Sequence, residues 1–351
     1  NAINVAIFSI YLTLLDYQEP SDIESFKFPL LYNRNFFSED FFNTNAEFNT
    51  QLEKISFEFI LGNPPWKRGK GEKKPLFDQY INKRKKLEKG KYTNEIEISN
   101  SEIAQAFILR VSDFSKDKTK VGFIATSKVL YNLNAHGFRK YLLDRFIINK
   151  VFELAPVRKE VFDKSNDKAV APATILFYEF AFDKPTDDNT IEHITLKPSR
   201  FFSLFKVFTI QRGDYKKVAQ NKLKEFDYLW KLLVYGTYMD FNLIRTVKER
   251  HQSINEIIKD EEKFIVGQGI QVGGGNQNDV SHYVGRQYLD SRKDINPFWV
   301  NENSQSVWDN PIVHRPRNAN LFKAPMLLVT TGVKNDFRSV SAVCKKDILF
   351  K

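Results

Sequence analysis

Phe57-Glu58-Phe59-Ile60-Leu61-Gly62-Asn63-Pro64-Pro65-Trp66 is an apolar run that ends on a glycine, an amide, two prolines and an indole. Residues 55–61 are largely apolar, with β-branched and aromatic side chains, which predicts a buried strand; Gly62 and the two prolines must end it. Asn63 therefore falls at a strand's carboxyl end, where open α/β sheets place their ligand sites.

Asn-Pro-Pro-aromatic suits the handling of a planar exocyclic amine for methyl transfer. The nitrogen of such an amine is a poor nucleophile because its lone pair is delocalised into the ring. Two acceptors that take both of its hydrogens draw it toward a tetrahedral geometry. The Asn63 side-chain oxygen is one acceptor and the Pro64 carbonyl the other. Prolines fix the chain's path and add no donors, so the loop is a stiff frame of acceptors. Trp66 then offers a face on which a base taken out of its duplex can stack. An ordinary turn after a strand is the competing reading.

The tetrad resembles that of the amino-type DNA methyltransferases, which methylate adenine with S-adenosylmethionine, in their gamma motif order; the large bacterial restriction-modification methylases are among them. Their signature is Asn-Pro-Pro-Tyr or a close variant, so Trp66 departs at the fourth position while keeping a stacking face. The resemblance implies catalytic roles for Asn63, Pro64, Pro65 and Trp66. Methylases that act on protein glutamine carry the same tetrad, so the substrate class rests on other features.

The chain has 351 residues, enough for two domains, and 42% hydrophobic content, enough for a core in each. Its single cysteine, Cys344, excludes a disulfide framework and a cysteine-based metal site, which fits a reducing cytoplasm. The five histidines show no metal spacing. The first apolar run is too short for a bilayer and no targeting segment is visible. A net charge of +10 points to a polyanionic partner.

That charge is concentrated. Residues 67–91 hold 11 basic and 3 acidic side chains, directly after the amide-proline loop. Duplex phosphates beside that loop would meet Lys67, Arg68, Lys83, Arg84, Lys85 and Lys86, which are the candidate DNA contacts. A solvated helix face with Leu76, Phe77, Tyr80, Ile81 and Leu87 as its apolar stripe is the other reading.

Residues 1–17 carry Val5, Phe8, Leu12 and Leu15 at helical spacing with apolar neighbours around most of the circumference, which predicts a nearly buried helix. It looks like the helix that follows the cofactor strands in the methylase family. The family's glycine-rich cofactor turn does not occur in the chain, so the resemblance implies an incomplete S-adenosylmethionine site and an inactive isolated chain. The resemblance also implies that Asp40, at a strand end, accepts a hydrogen bond from the cofactor's adenine and that Phe41 packs on that ring. Phe107 matches an aromatic that the family places near the same adenine, on a helix that Ser101 is expected to cap. Phe162 matches one that lies on the far face of the flipped base, completing a sandwich with Trp66. An acidic turn and plain core phenylalanines are the alternatives.

Residues 121–126, 150–154 and 173–180 read as strands and 134–146 as a helix, an alternation that predicts an α/β sheet with crossovers. The expected fold is a partial Rossmann-like methyltransferase sheet with helices on both faces over residues 1–183. A largely helical connector over 184–262 and the start of an α+β target-recognition domain over 263–351 are expected to follow. In that last part His314, Arg315, Arg317, Lys323 and Arg338 are weaker candidates for DNA contact. The resemblance implies double-stranded DNA as partner, together with a restriction or specificity subunit or a fused domain. A DNA-binding specificity fragment without activity and a protein or RNA methyltransferase are the alternatives.

Overall fold

A computed structural model describes residues 2–69, 71, 74–92, 94–162, 172–260, 264–291, 293–329 and 341–351. Two compact units divide the chain, one reaching to Thr246 and the other Val247–Lys351. The expectation of an α/β sheet holds in the first. Its six strands are β1 (Phe59–Gly62), β2 (Lys120–Thr126), β3 (Phe146–Glu153), β4 (Ala173–Phe180), β5 (Thr190–Thr195) and β6 (Tyr215–Ala219).

They lie in the order β1-β2-β4-β3-β5-β6. β1 pairs parallel with β2 and β3 with β5, while β4 runs against both of its neighbours and β6 against β5. β1, β2, β3 and β5 thus point one way, and their carboxyl ends form one rim. Alternation along the strands decides which face is covered. Val121, Phe123, Ala125, Val151, Leu176 and Tyr178 are buried in the main core. Helices α3 (Lys74–Glu88), α4 (Ile103–Val111) and α6 (His136–Arg145) supply Phe77, Tyr80, Ile108, Leu109, Phe138 and Leu142 to the same core. Phe59 and Leu61, at the alternate positions of β1, are exposed.

The structure departs from the sequence reading in several places. Residues 55–61, expected as a buried strand, give only β1, whose Phe59 and Leu61 are exposed. Helix α1 (Ala2–Asp16) forms, yet none of its residues is buried; among the described residues Phe28 and Pro29 pack on Tyr11 and leave Val5, Phe8 and Leu12 exposed. The stretch 184–262, expected as a helical connector, gives β5 and β6 to the sheet before its helices α9 (Gln220–Glu225) and α10 (Leu229–Tyr235). Thr-Ile-Glu-His-Ile-Thr is short and β-branched, and cross-strand pairing with β3 outweighs its charge. Residues 36–42 are irregular, with an isolated bridge at Phe36 and a turn at Phe41 and Phe42 ahead of α2 (Glu47–Leu52), rather than a strand end. Ser101 does not cap α4: Glu102 is the N-cap, with no side-chain bond, because Ser101 is used up in a preceding 3₁₀ turn. Val161, just before Phe162, ends a short helix, α7 (Arg158–Val161), which lies between α5 (Lys128–Tyr131) and α8 (Arg200–Phe205) in the chain.

The second unit is built from short pairs: β7 (Asn278–Asp279) with β11 (Ile312–Val313), β8 (Tyr288–Leu289) with β14 (Leu349–Phe350), β9 (Ile295–Asn296) with β10 (Trp299–Val300), and β12 (Met326–Val329) with β13 (Ser341–Cys344). Two apolar clusters hold them, one around Leu289, Met326, Leu328 and Cys344 and one around Ile270, Val280, Trp308 and Phe322. No helix among the described residues is long and apolar enough to cross a membrane.

Candidate active site

Gly62 ends β1 against the ring of Phe123, so closely that a Cβ there would lie 2.6 Å from Phe123 Cε1. Only glycine lets the strand deliver its next residue at that spot. Asn63 follows on the carboxyl rim and is exposed, Pro64 is buried and Pro65 is exposed. No described residue takes up the Asn63 amide, which leaves its oxygen open to a ligand. Trp66 is half-buried, and its Nε1 donates to the carbonyl of Ile124 in β2 at 3.3 Å, which fixes the indole to the sheet.

Phe162 does meet Trp66. Their centroids are 6.0 Å apart with the rings at 88°, an edge-to-face contact rather than the parallel pair of a sandwich. The two belong to a satellite cluster with Leu154, Val157 and Ile194. Its apolar packing holds both rings in the rim. At the root of the Phe162 arm stands Glu153, buried at the end of β3; its Oε1 accepts from Ser127 Oγ at 2.7 Å and from the Ala155 amide at 2.8 Å. Burial pushes this carboxyl above its ordinary range, against the pull of those hydrogen bonds.

The other candidates converge on a cavity of about 670 Å³ beside the loop, lined by Asp40, Phe41, Phe107, Pro65, Lys67 and Arg68 among others. Phe41 and Phe107 stack with centroids 4.7 Å apart and 21° between planes. Asp40 Oδ1 accepts from the Phe42 amide at 2.9 Å. Two backbone hydrogen bonds tie the amide-proline loop to the start of α4, which carries Phe107. Gly69 donates to the Ser101 carbonyl at 2.8 Å and Ile103 donates to the Lys67 carbonyl at 3.0 Å, which together make an antiparallel bridge between Arg68 and Glu102.

Arg110, which sequence reasoning passed over, ties the third wall to these two. It is buried on α4 and donates to the carbonyl of Phe41 at 3.0 Å, to Asp113 at 2.6 Å and to Asn49 Oδ1. The signal in the sequence was an arginine three residues after Phe107 within an otherwise apolar helix.

The basic residues divide. Lys67, Arg68, Lys83, Lys85 and Lys86 are exposed. Arg84 is turned inward, bound to Asp113 and to Glu88 at 2.6 Å, so it acts on the fold and adds little cationic surface. In the second unit His314 accepts from the Asn276 amide at 3.1 Å and Arg317 donates to the Gly269 carbonyl at 3.0 Å, while Arg315 and Lys323 are exposed. Lys70, Lys73, Asp163, Lys164 and Arg338, and the expected domain start at Lys263, lie outside the described residues. Among the described residues no group of three or more His, Cys, Asp or Glu could hold a metal ion.

Comparison with known proteins bears on the same stretch. No curated protein matches the chain. Solved structures do. A type IIG restriction endonuclease, BpuSI, is 13% identical with a TM-score of 0.37, covering 76% of this chain and 27% of that one. The methyltransferase subunit of a type I restriction-modification system from Streptococcus thermophilus is 16% identical with a TM-score of 0.36, covering 54% and 39%. The type ISP restriction-modification enzyme LlaBIII, bound to DNA, is 19% identical with a TM-score of 0.31, covering 46% and 11%. The chain thus spans less than half the length of each. Residues 1–162 match the family model of the Eco57I restriction-modification methylase, the segment that contains Asp40, Asn63 to Trp66, Phe107 and Phe162. Over those residues, somewhat less than half of the chain, the sequence is similar to the restriction-modification methylases.

Proposed function

We propose that the chain carries the target-amine site of an S-adenosylmethionine-dependent methyltransferase that acts on the exocyclic amine of adenine in double-stranded DNA, as part of a restriction-modification system. The observation that carries this reading is the placement of Asn63. It stands exposed just after β1 on the sheet's carboxyl rim, three residues before Trp66, in a loop whose Pro65 lines the cavity of Asp40, Phe41 and Phe107.

The residues present fit the adenine end of the cofactor. A cavity of about 670 Å³ is within the usual range for small-molecule sites, and it joins an apolar ring pair to a carboxylate able to accept from an amine. Phe41 and Phe107 would pack on the ring and Asp40 would take its amino hydrogen. When bound, the cofactor supplies an electrophilic methyl group. The chain's own part is to hold the acceptor. Asn63 Oδ1 and the Pro64 carbonyl accept the two amine hydrogens of the target, and Trp66 stacks on its base. This is catalysis by placement and orientation, with no covalent enzyme intermediate.

Asn63→Ala in the intact protein tests the assignment. Methyl transfer to DNA should be lost while duplex affinity stays within a few fold, because the acceptor is removed and the phosphate contacts are not. A variant that methylates as well as the parent would overturn it.

A further inference from the structure

The hairpin of β9 and β10 is closed by two residues, Pro297 and Phe298, with Asn296 paired to Trp299 and Ile295 to Val300. Its base is rigid. Ile295 and Val300 are buried with Met326, Leu328 and Cys344. Asp294, just before the hairpin, is buried, and its carboxylate accepts from the Asp290 amide at 2.8 Å, from Asn301 Nδ2 at 3.1 Å and from Ser304 Oγ at 2.8 Å. Residues before and after the hairpin are thereby pinned to one side chain. The Phe298 amide itself donates to the Ser341 carbonyl at 2.9 Å.

The tip has the opposite character. Four consecutive residues, 296–299, are exposed, Phe298 to 91% and Trp299 to 58%. Phe298 adopts φ 64°, a left-handed backbone that the second residue of such a turn usually leaves to glycine or asparagine. For a bulky side chain that conformation costs energy. The ring is therefore strained and bare in water, and glycine would serve the fold better on both counts. Whatever the ring gains must come from a surface that covers it.

We propose that this tip is a wedge for duplex DNA, with Phe298 and Trp299 stacking on the bases of an opened step. Two neighbouring rings, Phe298 on the turn and Trp299 at the start of β10, match the size of a base step, and fall far short of the roughly 800 Å² per partner of a stable protein interface. Apolar side chains are known to insert between base steps, and every base offers a face for stacking. Charge agrees with an anionic partner. Lys293 beside the hairpin is exposed, whereas the carboxylate of Asp294 is buried and saturated with donors. Residues 264–351 hold eleven Lys and Arg against seven Asp and Glu. Asn296 adds an amide that suits a base edge.

The proposal rests on the reading of the protein as a DNA methylase, and one substitution separates the two. In the intact protein, Phe298→Gly should keep or raise the melting temperature and weaken binding to a mixed-sequence duplex roughly tenfold, the scale of one lost stack. A duplex containing 2-aminopurine should brighten on binding the parent protein and less on binding the variant. Unchanged affinity with an unchanged signal overturns the wedge and leaves DNA binding standing. A parent protein that binds no duplex overturns both readings. Loss of self-association at unchanged duplex affinity assigns the tip to a protein contact and likewise overturns the wedge.

Discussion

Arg110 donates through Nε to the main-chain carbonyl of Phe41 at 3.0 Å, reaching from α4 to the loop that carries Asp40. Phe107 lies three residues earlier, on the same side of the helix, and its ring stacks on that of Phe41. One helix face therefore holds both the backbone and the side chain of the cavity wall. The guanidinium also lies over Phe114 and Tyr80, at 4.6 Å and 5.2 Å from their centroids, which shields its bonds from water.

Arg110→Met should cost about 3 kcal/mol, since the Phe41 carbonyl and Asn49 lose a donor and Asp113 loses one of its two guanidinium partners. Arg110→Lys should recover little of it, because one ammonium cannot span partners that a planar fork reaches. Denaturant midpoints measure the loss. Wild-type stability in either variant would show that the loop of Asp40 is held by other contacts.

Gly62→Ala places a methyl group against Phe123 and should destabilise the first unit by about 1–3 kcal/mol through overpacking. Asn63 follows directly, so the same change should lower methyl transfer more than duplex binding. A smaller ring neighbour offers a check on the cause: Gly62→Ala with Phe123→Leu should be less impaired than the two single effects add up to. Simple additivity would mean the two sites do not meet.

His193 is buried in β5, and burial, with Lys216 adding to it, lowers its pKa from 6.5 to about 3. In the unfolded chain the imidazole takes a proton near its ordinary value, while in the folded chain it stays neutral. The unfolded state thus binds more protons between pH 6.5 and about 3, so this residue's contribution to stability is intact above that window and falls as the pH drops through it. The slope is up to about 1.4 kcal/mol per pH unit. Unfolding titrations from pH 7 to 4 should show a loss that His193→Gln flattens; parallel profiles would place the dominant titration elsewhere.

Strands β1 to β4 of the first unit were legible because their apolar runs are short and bounded, as in Ala173–Phe180, which a proline precedes and a polar stretch follows. The rim position of Asn63 followed from its neighbour Gly62 and the prolines. What the sequence hid has a physical reason in each case. β5 and β6 carry Glu192, His193, Lys216 and Lys217, and only their cross-strand pairing makes them strands. Arg84 differs in no local feature from arginines that face solvent, because Asp113, far along the chain, turns it inward, and the apolar setting of Arg110 does not name the distant Phe41 and Asn49 that it binds. The exposure of α1 depends on what lies against it, which periodicity alone does not state.

The basic helix gives the last prediction. Lys83, Lys85 and Lys86 project from α3 into solvent, while Arg84 between them is bound to Asp113 and Glu88. If the exposed three neutralise phosphates, each contributes roughly 0.9 to the slope of log affinity against log salt concentration. Replacing all three with alanine should lower that slope by up to about 3 and weaken duplex binding most at low salt. Arg84→Ala should act differently, reducing stability through its lost buried partners with a smaller change in slope. Anisotropy titrations of the intact protein with a labelled duplex, repeated at several salt concentrations, read both effects. A triple variant with the parent's slope would make this helix a solvated face, and a slope change as large in Arg84→Ala would mean that its ion pairs open when DNA binds.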